Sequence, residues 1–199
     1  MQKLNLLKTY KSYYKAGKKP EIVEFGEIHF LSVEGEGEPA GKVFLSKVEA
    51  LYPLAYGIKK ICKDQDKDFG VPKLEGLWWV EGDTPALEVP RSEWRWKLLI
   101  RMPEFVTEKM MLAIQPEVVK KKKNDVIQEI SFEKITEGKC AQIMHVGPYS
   151  DELETINTLM SYIETNRLSV NGLHHEIYLS DPRKTAPEKM KTLIRYPVK

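Results

Sequence analysis

The 199-residue chain is poor in most of the features that announce a specialised chemistry. It has two cysteines, Cys62 and Cys140, 78 positions apart and in no CxxC arrangement. A disulfide miniprotein is thereby excluded, and each cysteine reads as a buried thiol. The four histidines, His29, His145, His174 and His175, make neither HExxH nor a zinc-spaced pairing with cysteine. No metal site is expected from them. No GxGxxG follows a strand, and P-loop and GxSxG motifs are absent, so neither Gly-rich phosphate chemistry nor a cofactor is indicated. No stretch approaches the ~18 continuous apolar residues of a membrane span. The lysine-punctuated N-terminus offers no apolar signal-peptide run. An excess of one charge sign is also lacking, since 31 Lys+Arg against 29 Asp+Glu leave +2. That balance argues against a dedicated nucleic-acid binder. The cytoplasm is the expected location, with neither nucleic acid nor membrane as partner. What remains is 42% hydrophobic and 30% charged, an ordinary globular composition. The length suits one large domain or two small intimate ones.

Hydrophobic spacing divides the chain into elements. Leu4, Leu7, Tyr10 and Tyr14 fall at helical spacing over residues 1–16, until Gly17 and Pro20 stop the pattern. Mixed alternation over 21–33 reads as a strand. A helix follows at about 42–63, striped by Val48, Leu51, Tyr52, Ala55, Ile58 and Cys62, with Pro53 expected to kink it. GLWWV and WRWKLLIRM then form a long-looped hairpin across a turn-rich segment containing Pro85 and Pro90. A second series runs from a helix at about 107–122, ending in Lys120–Lys123, a solvated helix end. Strands are expected at about 127–135 and 139–146, a helix at about 150–166, and a closing hairpin from LHHEIYLSD and MKTLIRYPV.

The two series echo one another. Leu98-Leu99-Ile100-Arg101-Met102-Pro103 returns 94 positions later as Thr192-Leu193-Ile194-Arg195-Tyr196-Pro197. Gly76-Leu77-Trp78-Trp79 returns 96 positions on as Gly172-Leu173-His174-His175, and Gly37-Glu38-Pro39 matches Gly147-Pro148-Tyr149. Their common order predicts an α+β fold of duplicated βαββ units with pseudo-twofold symmetry. These would share an antiparallel sheet with helices on one face and a central ligand cleft at the seam. The expected organisation is an N-terminal helix over 1–19 and one domain over 20–199, with repeats at about 21–103 and 127–198.

All four tryptophans lie between 78 and 96. Period two puts Trp94, Trp96, Leu98, Ile100 and Met102 on one face of a strand. That face is either core packed on a helix or the aromatic wall of a pocket. In His174–Leu179, alternation sends His175, Ile177 and Leu179 one way and His174, Glu176 and Tyr178 the other. A mid-strand carboxylate beside a phenol is costly if buried without partners. The face is therefore solvent-exposed, or it is a polar stripe in a cleft where Glu176 attracts a cation or orients a water and Tyr178 assists. Thr185-Ala186-Pro187-Glu188 has the form of a capping box, so Glu188 reads as a helix start, with a pocket residue as the alternative.

These segments together resemble the GyrI-like small-molecule-binding proteins, relatives of the effector-binding domains of multidrug-responsive bacterial activators. KKPEIVEFGEIHFLSVEGEGEP, LEGLWWV, HVGPYSDEL and HHEIYLSDPRKTAPEKMKTLIRYPV carry the resemblance over nearly the whole chain. It implies a stand-alone pocket for hydrophobic, often cationic or polyaromatic molecules. The family's pocket carboxylate falls in the strand matched by HHEIYLSD and points to Glu176, with Tyr178 beside it. The aromatic cage would draw on Trp78, Trp94, Trp96 and Tyr149, with His174 also in the ligand set. One stand-alone subfamily is similar to hydrolases that open the strained cyclopropane of DNA-alkylating natural products. Three functions are thereby set against one another. The first is a xenobiotic binder that adds water to strained electrophiles, with Glu176 and Tyr178 catalytic. The second is a drug-sequestering or sensing module working with a partner protein. The third is an interaction protein whose aromatic hairpin docks another chain.

Overall fold

The computed structural model describes residues 3–82, 84 and 86–199. Pro85, expected in the turn-rich segment, lies outside the described residues, as do Met1 and Gln2 at the start of the expected N-terminal helix. The elements run α1 (Leu6–Thr9), α2 (Lys11–Tyr14), β1 (Glu21–Glu36), α3 (Lys42–Asp64), β2 (Leu74–Trp79), β3 (Arg95–Met102), α4 (Glu108–Lys122), β4 (Ser131–Val146), α5 (Glu152–Thr165), β5 (His174–Tyr178) and β6 (Lys191–Pro197). The order strand, helix, strand, strand thus occurs twice, as β1-α3-β2-β3 and as β4-α5-β5-β6. The expected antiparallel sheet is present, and its six strands follow the cyclic hydrogen-bonded order β1-β3-β2-β5-β6-β4. Among the described residues no helix is long and apolar enough to cross a membrane.

Two expectations are corrected. The N-terminal segment is not one helix but two single turns, α1 and α2, broken at Tyr10 (φ −106°, ψ 58°). Helices this short are marginal by themselves and take their geometry from what they pack against. Here Leu6 is buried from α1, and Tyr13 and Tyr14 from α2. The second correction concerns the strands expected at 127–135 and 139–146. They are one 16-residue strand, β4, preceded by a 3-10 turn at Asp125–Glu129. The Thr136-Glu137-Gly138 stretch that reads as a turn stays in the strand because Gly138 takes φ +67°, the left-handed conformation used in β-bulges.

The chain forms two compact units. The first comprises the described part of Met1–Thr9, Ile28–Pro72 and Gly76–Ile135. In it α3 packs on β3 and α4. Leu51, Ala55, Ile58 and Cys62 are buried along the expected stripe, and Pro53 lies inside an uninterrupted helix. Thr107 caps α4 by accepting from the Met110 amide, and Lys120–Lys123 are solvent-exposed at its end. β3 pairs with β1 from His29↔Met102 to Glu36↔Arg95.

The second unit comprises Tyr10–Glu27, Lys73–Glu75 and Thr136–Lys199. Ala141, Ile143, Leu159, Ile163, Ile194 and Val198 make its apolar core. β6 is flanked by β4 and β5, and the register sets Gln142 and His175 on either side of Arg195. These three begin a buried polar row. The Arg195 guanidinium donates to Gln142 Oε1 (2.9 Å), to Glu137 Oε2 (3.0 Å) and to the Tyr13 carbonyl (2.8 Å). It lies 4.3 Å from the Tyr13 ring centre and 4.2 Å from that of Phe25. His175 bridges two carboxylates, Glu137 at 2.8 Å through Nδ1 and Glu75 at 3.0 Å through Nε2. The Tyr13 hydroxyl donates to that same Glu75 oxygen (2.5 Å). Buried charges persist only when paired and hydrogen-bonded, and here two cations face two anions.

His175 is raised to about 9; burial acts against its charge, but Glu137 and Glu75 outweigh it. Glu137 is lowered to about 2, the opposing burial being outweighed by His175 and Arg195. Glu137 therefore contributes stability above its ordinary 4.5, lost as pH falls toward 2. His175 contributes below its ordinary 6.5, and that contribution is lost as pH rises through about 9. Glu137→Gln is expected to cost about 3–5 kcal/mol in urea unfolding. The deficit should be widest between pH 4.5 and 6.5 and shrink on both sides. A deficit independent of pH would contradict the pairing.

Candidate functional site

The residues singled out from sequence fall into two aromatic clusters, one in each unit. In the first unit Trp96 is wholly buried. Its indole N–H donates to the Gly37 carbonyl (3.1 Å), and its ring covers Gly35 so closely that a Cβ there would lie 2.1 Å away. Phe44 joins Trp96 edge-on at 5.2 Å and stacks on Trp78 at 5.9 Å. Trp94 meets Trp78 edge-on at 6.2 Å and donates to the Ala86 and Val89 carbonyls. Even positions of β3 are buried as alternation predicts, but so are Leu99 and Arg101 on the other face.

The second cluster is polar and lies in the second unit. In β5 His175 and Ile177 are buried while His174, Glu176 and Tyr178 are half-buried, the predicted alternation. His174 Nε2–H donates to Glu176 Oε1 at 2.7 Å. The Tyr178 ring meets Tyr149 edge-on at 5.9 Å, and Tyr196 from β6 meets His174 at 5.0 Å. Four sequence-predicted residues, Tyr149, His174, Glu176 and Tyr178, are therefore neighbours. Sequence reasoning missed three more: Tyr196, Thr192 and Glu152. Glu152 opens α5, is 6% exposed, and lies against the Glu176 carboxyl and the Thr192 hydroxyl. An acidic residue in the first turn of a helix is ordinary helix-dipole chemistry, so nothing in the spacing marked it.

Burial first, then the Glu176 carboxylate, pushes Glu152 up to about 9. Burial and the carboxylates of Glu152, Glu176 and Asp181 raise Tyr149 to about 12. Burial and Glu176 do the same to Tyr196. The cluster thus offers one acid-base pair, several neutral phenols and aromatic edges around a carboxylate. Such a set can hold a cation or orient a water. Glu188 stands apart, exposed in a 3-10 turn that begins after Ala186. The predicted capping box is not made, since no side-chain cap forms at that turn. Pro187 enters at the first position, and the turn closes through the Lys189 amide to the Ala186 carbonyl. Among the described residues no group of three or more His, Cys, Asp or Glu could hold a metal ion.

The model of the GyrI-like small molecule binding domain matches residues 18–199. The chain belongs to the GyrI-like family. A small-molecule ligand is what this kind of domain takes. Solved structures similar to this chain include an uncharacterized conserved protein from Listeria innocua, 40% identical, with TM-score 0.92 over 99% of this chain and 100% of that one. A protein from Listeria innocua described as a hydrolase is also 40% identical, with TM-score 0.86 and the same coverage. The C-terminal domain of EcmrR, 15% identical with TM-score 0.59 over 91% of this chain and 97% of that one, shares the fold. The curated proteins compared give no match.

A carboxyl whose folded value lies above its ordinary 4.5 costs stability as pH rises from 4.5 to about 9, because the folded state then holds a proton the unfolded state has released. Glu152→Gln removes that cost. The variant is expected to be more stable than wild type by on the order of 2 kcal/mol near the upper end of this window. The gap should close toward pH 4.5, as read by urea unfolding. A variant less stable than wild type throughout would contradict the assignment.

Proposed function

We propose that this GyrI-like protein binds hydrophobic, aromatic or cationic xenobiotics and adds water to strained electrophilic ligands such as cyclopropane-bearing DNA alkylators. The observation that carries the reading is Glu176, a half-buried carboxylate held by His174 and Glu152 among the rings of Tyr149, Tyr178 and Tyr196. The description of a 40% identical relative as a hydrolase supports the catalytic part. Trp78 and Trp94 are read as further ligand-stacking surfaces in the first unit, with the enclosed Trp96 backing them. The doubled βαββ order supports reading the two halves as a repeat.

In the hydrolytic step Glu176 accepts a proton from the attacking water. The water oxygen bonds to the strained ring carbon, the ring C–C bond breaks, and its electron pair moves to the conjugated carbonyl oxygen. The Tyr178 hydroxyl donates a hydrogen bond to that oxygen as it gains charge. Ring strain lowers the demand on the protein, so one base and one donor suffice. A non-catalytic sequestering module is the second reading, favoured by the small-molecule-binding description of the family itself.

Tryptophan and tyrosine fluorescence titration with N-methylacridinium, neutral acridine and a cyclopropane-bearing alkylator separates the two, followed by mass spectrometry for a product heavier by one water. Glu176→Gln is expected to lower turnover by about 10²–10⁴-fold while retaining alkylator binding. Unchanged turnover removes Glu176 as the base. Tight binding with no water-added product favours sequestration. Equal binding of acridine and N-methylacridinium removes Glu176 as the charge partner.

A further inference from the structure

Glu152 has no part in the step just described, yet it touches the residue on which that step depends. It is the first residue of α5, and Glu176 is in the middle of β5. Their carboxyl groups lie against each other. Two carboxyl groups so placed can hydrogen-bond only when one of them carries a proton, because an ionised carboxylate is acceptor-only. The groups that face the pair are few. Thr192 from β6 lies against Glu152, and His174 from β5 donates to Glu176. Tyr149 ahead of α5 and Tyr196 on β6 are phenols whose own ionisation the pair opposes, and Asp181 beyond β5 is another carboxylate near Tyr149. Tyr178 stands beside Tyr149. Apart from His174, this set contains nothing that could balance a second negative charge. Glu152 is also only 6% exposed, and its Oε1 has no hydrogen-bond partner among the described residues. A buried acceptor left open is costly, so the pair is built to receive something.

We infer that Glu152 and Glu176 form one proton-linked cation site, holding a single shared proton in the free protein and releasing it to solvent when a cation seats against them. This rests on the reading of Glu176 as the ligand's charge partner. The exchange balances: a monocation enters, the Glu152 O–H bond breaks, a proton leaves to buffer, and Oε1 and Oε2 face the cation as a carboxylate. The magnitudes allow it. A unit positive charge ~4 Å away at an effective dielectric of ~20 shifts a carboxyl by roughly three pH units. That is enough to bring a group at about 9 below neutrality. Cation affinity then rises with pH, by up to about tenfold per unit between pH ~6 and ~9. A neutral isostere shows no such slope.

The test is calorimetric titration of the full chain with N-methylacridinium near neutral pH, in two buffers of different ionisation heat. Wild type is expected to release more than about half a proton per cation bound. Glu152→Gln, which keeps the shape of the protonated acid, should bind with no release and no pH slope. Preference for the cation over acridine without proton release overturns the inference and leaves the charge role of Glu176 standing. Equal binding of both dyes overturns that role instead. NMR titration of the side-chain carboxyl carbons then decides the shared proton with no ligand present. A Glu152 midpoint above neutrality that falls by about one pH unit or more in Glu176→Gln supports it. An ordinary carboxyl midpoint overturns it.

Discussion

The second unit depends on keeping one guanidinium charged where water cannot reach it. Arg195 sits between Gln142 and His175 across three strands, and all three side chains point to the same face. A strand that slips by one residue turns its whole set of side chains over. A slip of β5 would carry His175 away from Glu137 and Glu75 and leave charges buried and unpaired, a penalty of several kcal/mol. The register of β5 on β6 is thereby held by charge as well as by apolar packing. Glu176 and Tyr178 inherit their placement from it, since alternation puts Glu176 on the face opposite His175. The candidate site is thus positioned by residues on the opposite face of its own strand.

Two of the buried carboxyl groups of this unit have opposite fates for the same reason. Glu137 and Glu152 are both taken out of water. Glu137 has a guanidinium and an imidazolium within hydrogen-bonding distance and stays ionised. Glu152 has another carboxyl and a threonine, and keeps its proton. Environment, not residue type, decides which carboxyl is structural and which is available for chemistry.

Local periodicity carried much of this in the sequence. The β5 alternation placed Glu176 and Tyr178 together and His175 opposite them. The apolar stripe of α3 and the closing hairpin were legible in the same way. What was illegible depended on distance along the chain. Glu152 looks like any acidic residue at a helix start, and only its approach to Glu176 from another element changes its chemistry. Arg195 reads as one basic position after apolar neighbours, Thr192-Leu193-Ile194-Arg195, until Glu137 arrives from β4. The turn expected near Gly138 failed because a glycine marks a break in a strand and a bulge within one equally well. The N-terminal pattern failed because helical spacing over so few residues yields to whatever buries Tyr13 and Tyr14.

The grip of Arg195 on Tyr13 has a bearing on how the polypeptide can be divided. The family model begins at residue 18, whereas the second compact unit reaches back to Tyr10. A fragment cut where the family match starts would lose the carbonyl that accepts from the guanidinium, one of the two rings lying against it, and the hydroxyl that donates to Glu75. The boundary drawn by descent and the boundary drawn by solvation therefore differ by eight residues. The segment ahead of the family match thus helps to enclose a buried guanidinium.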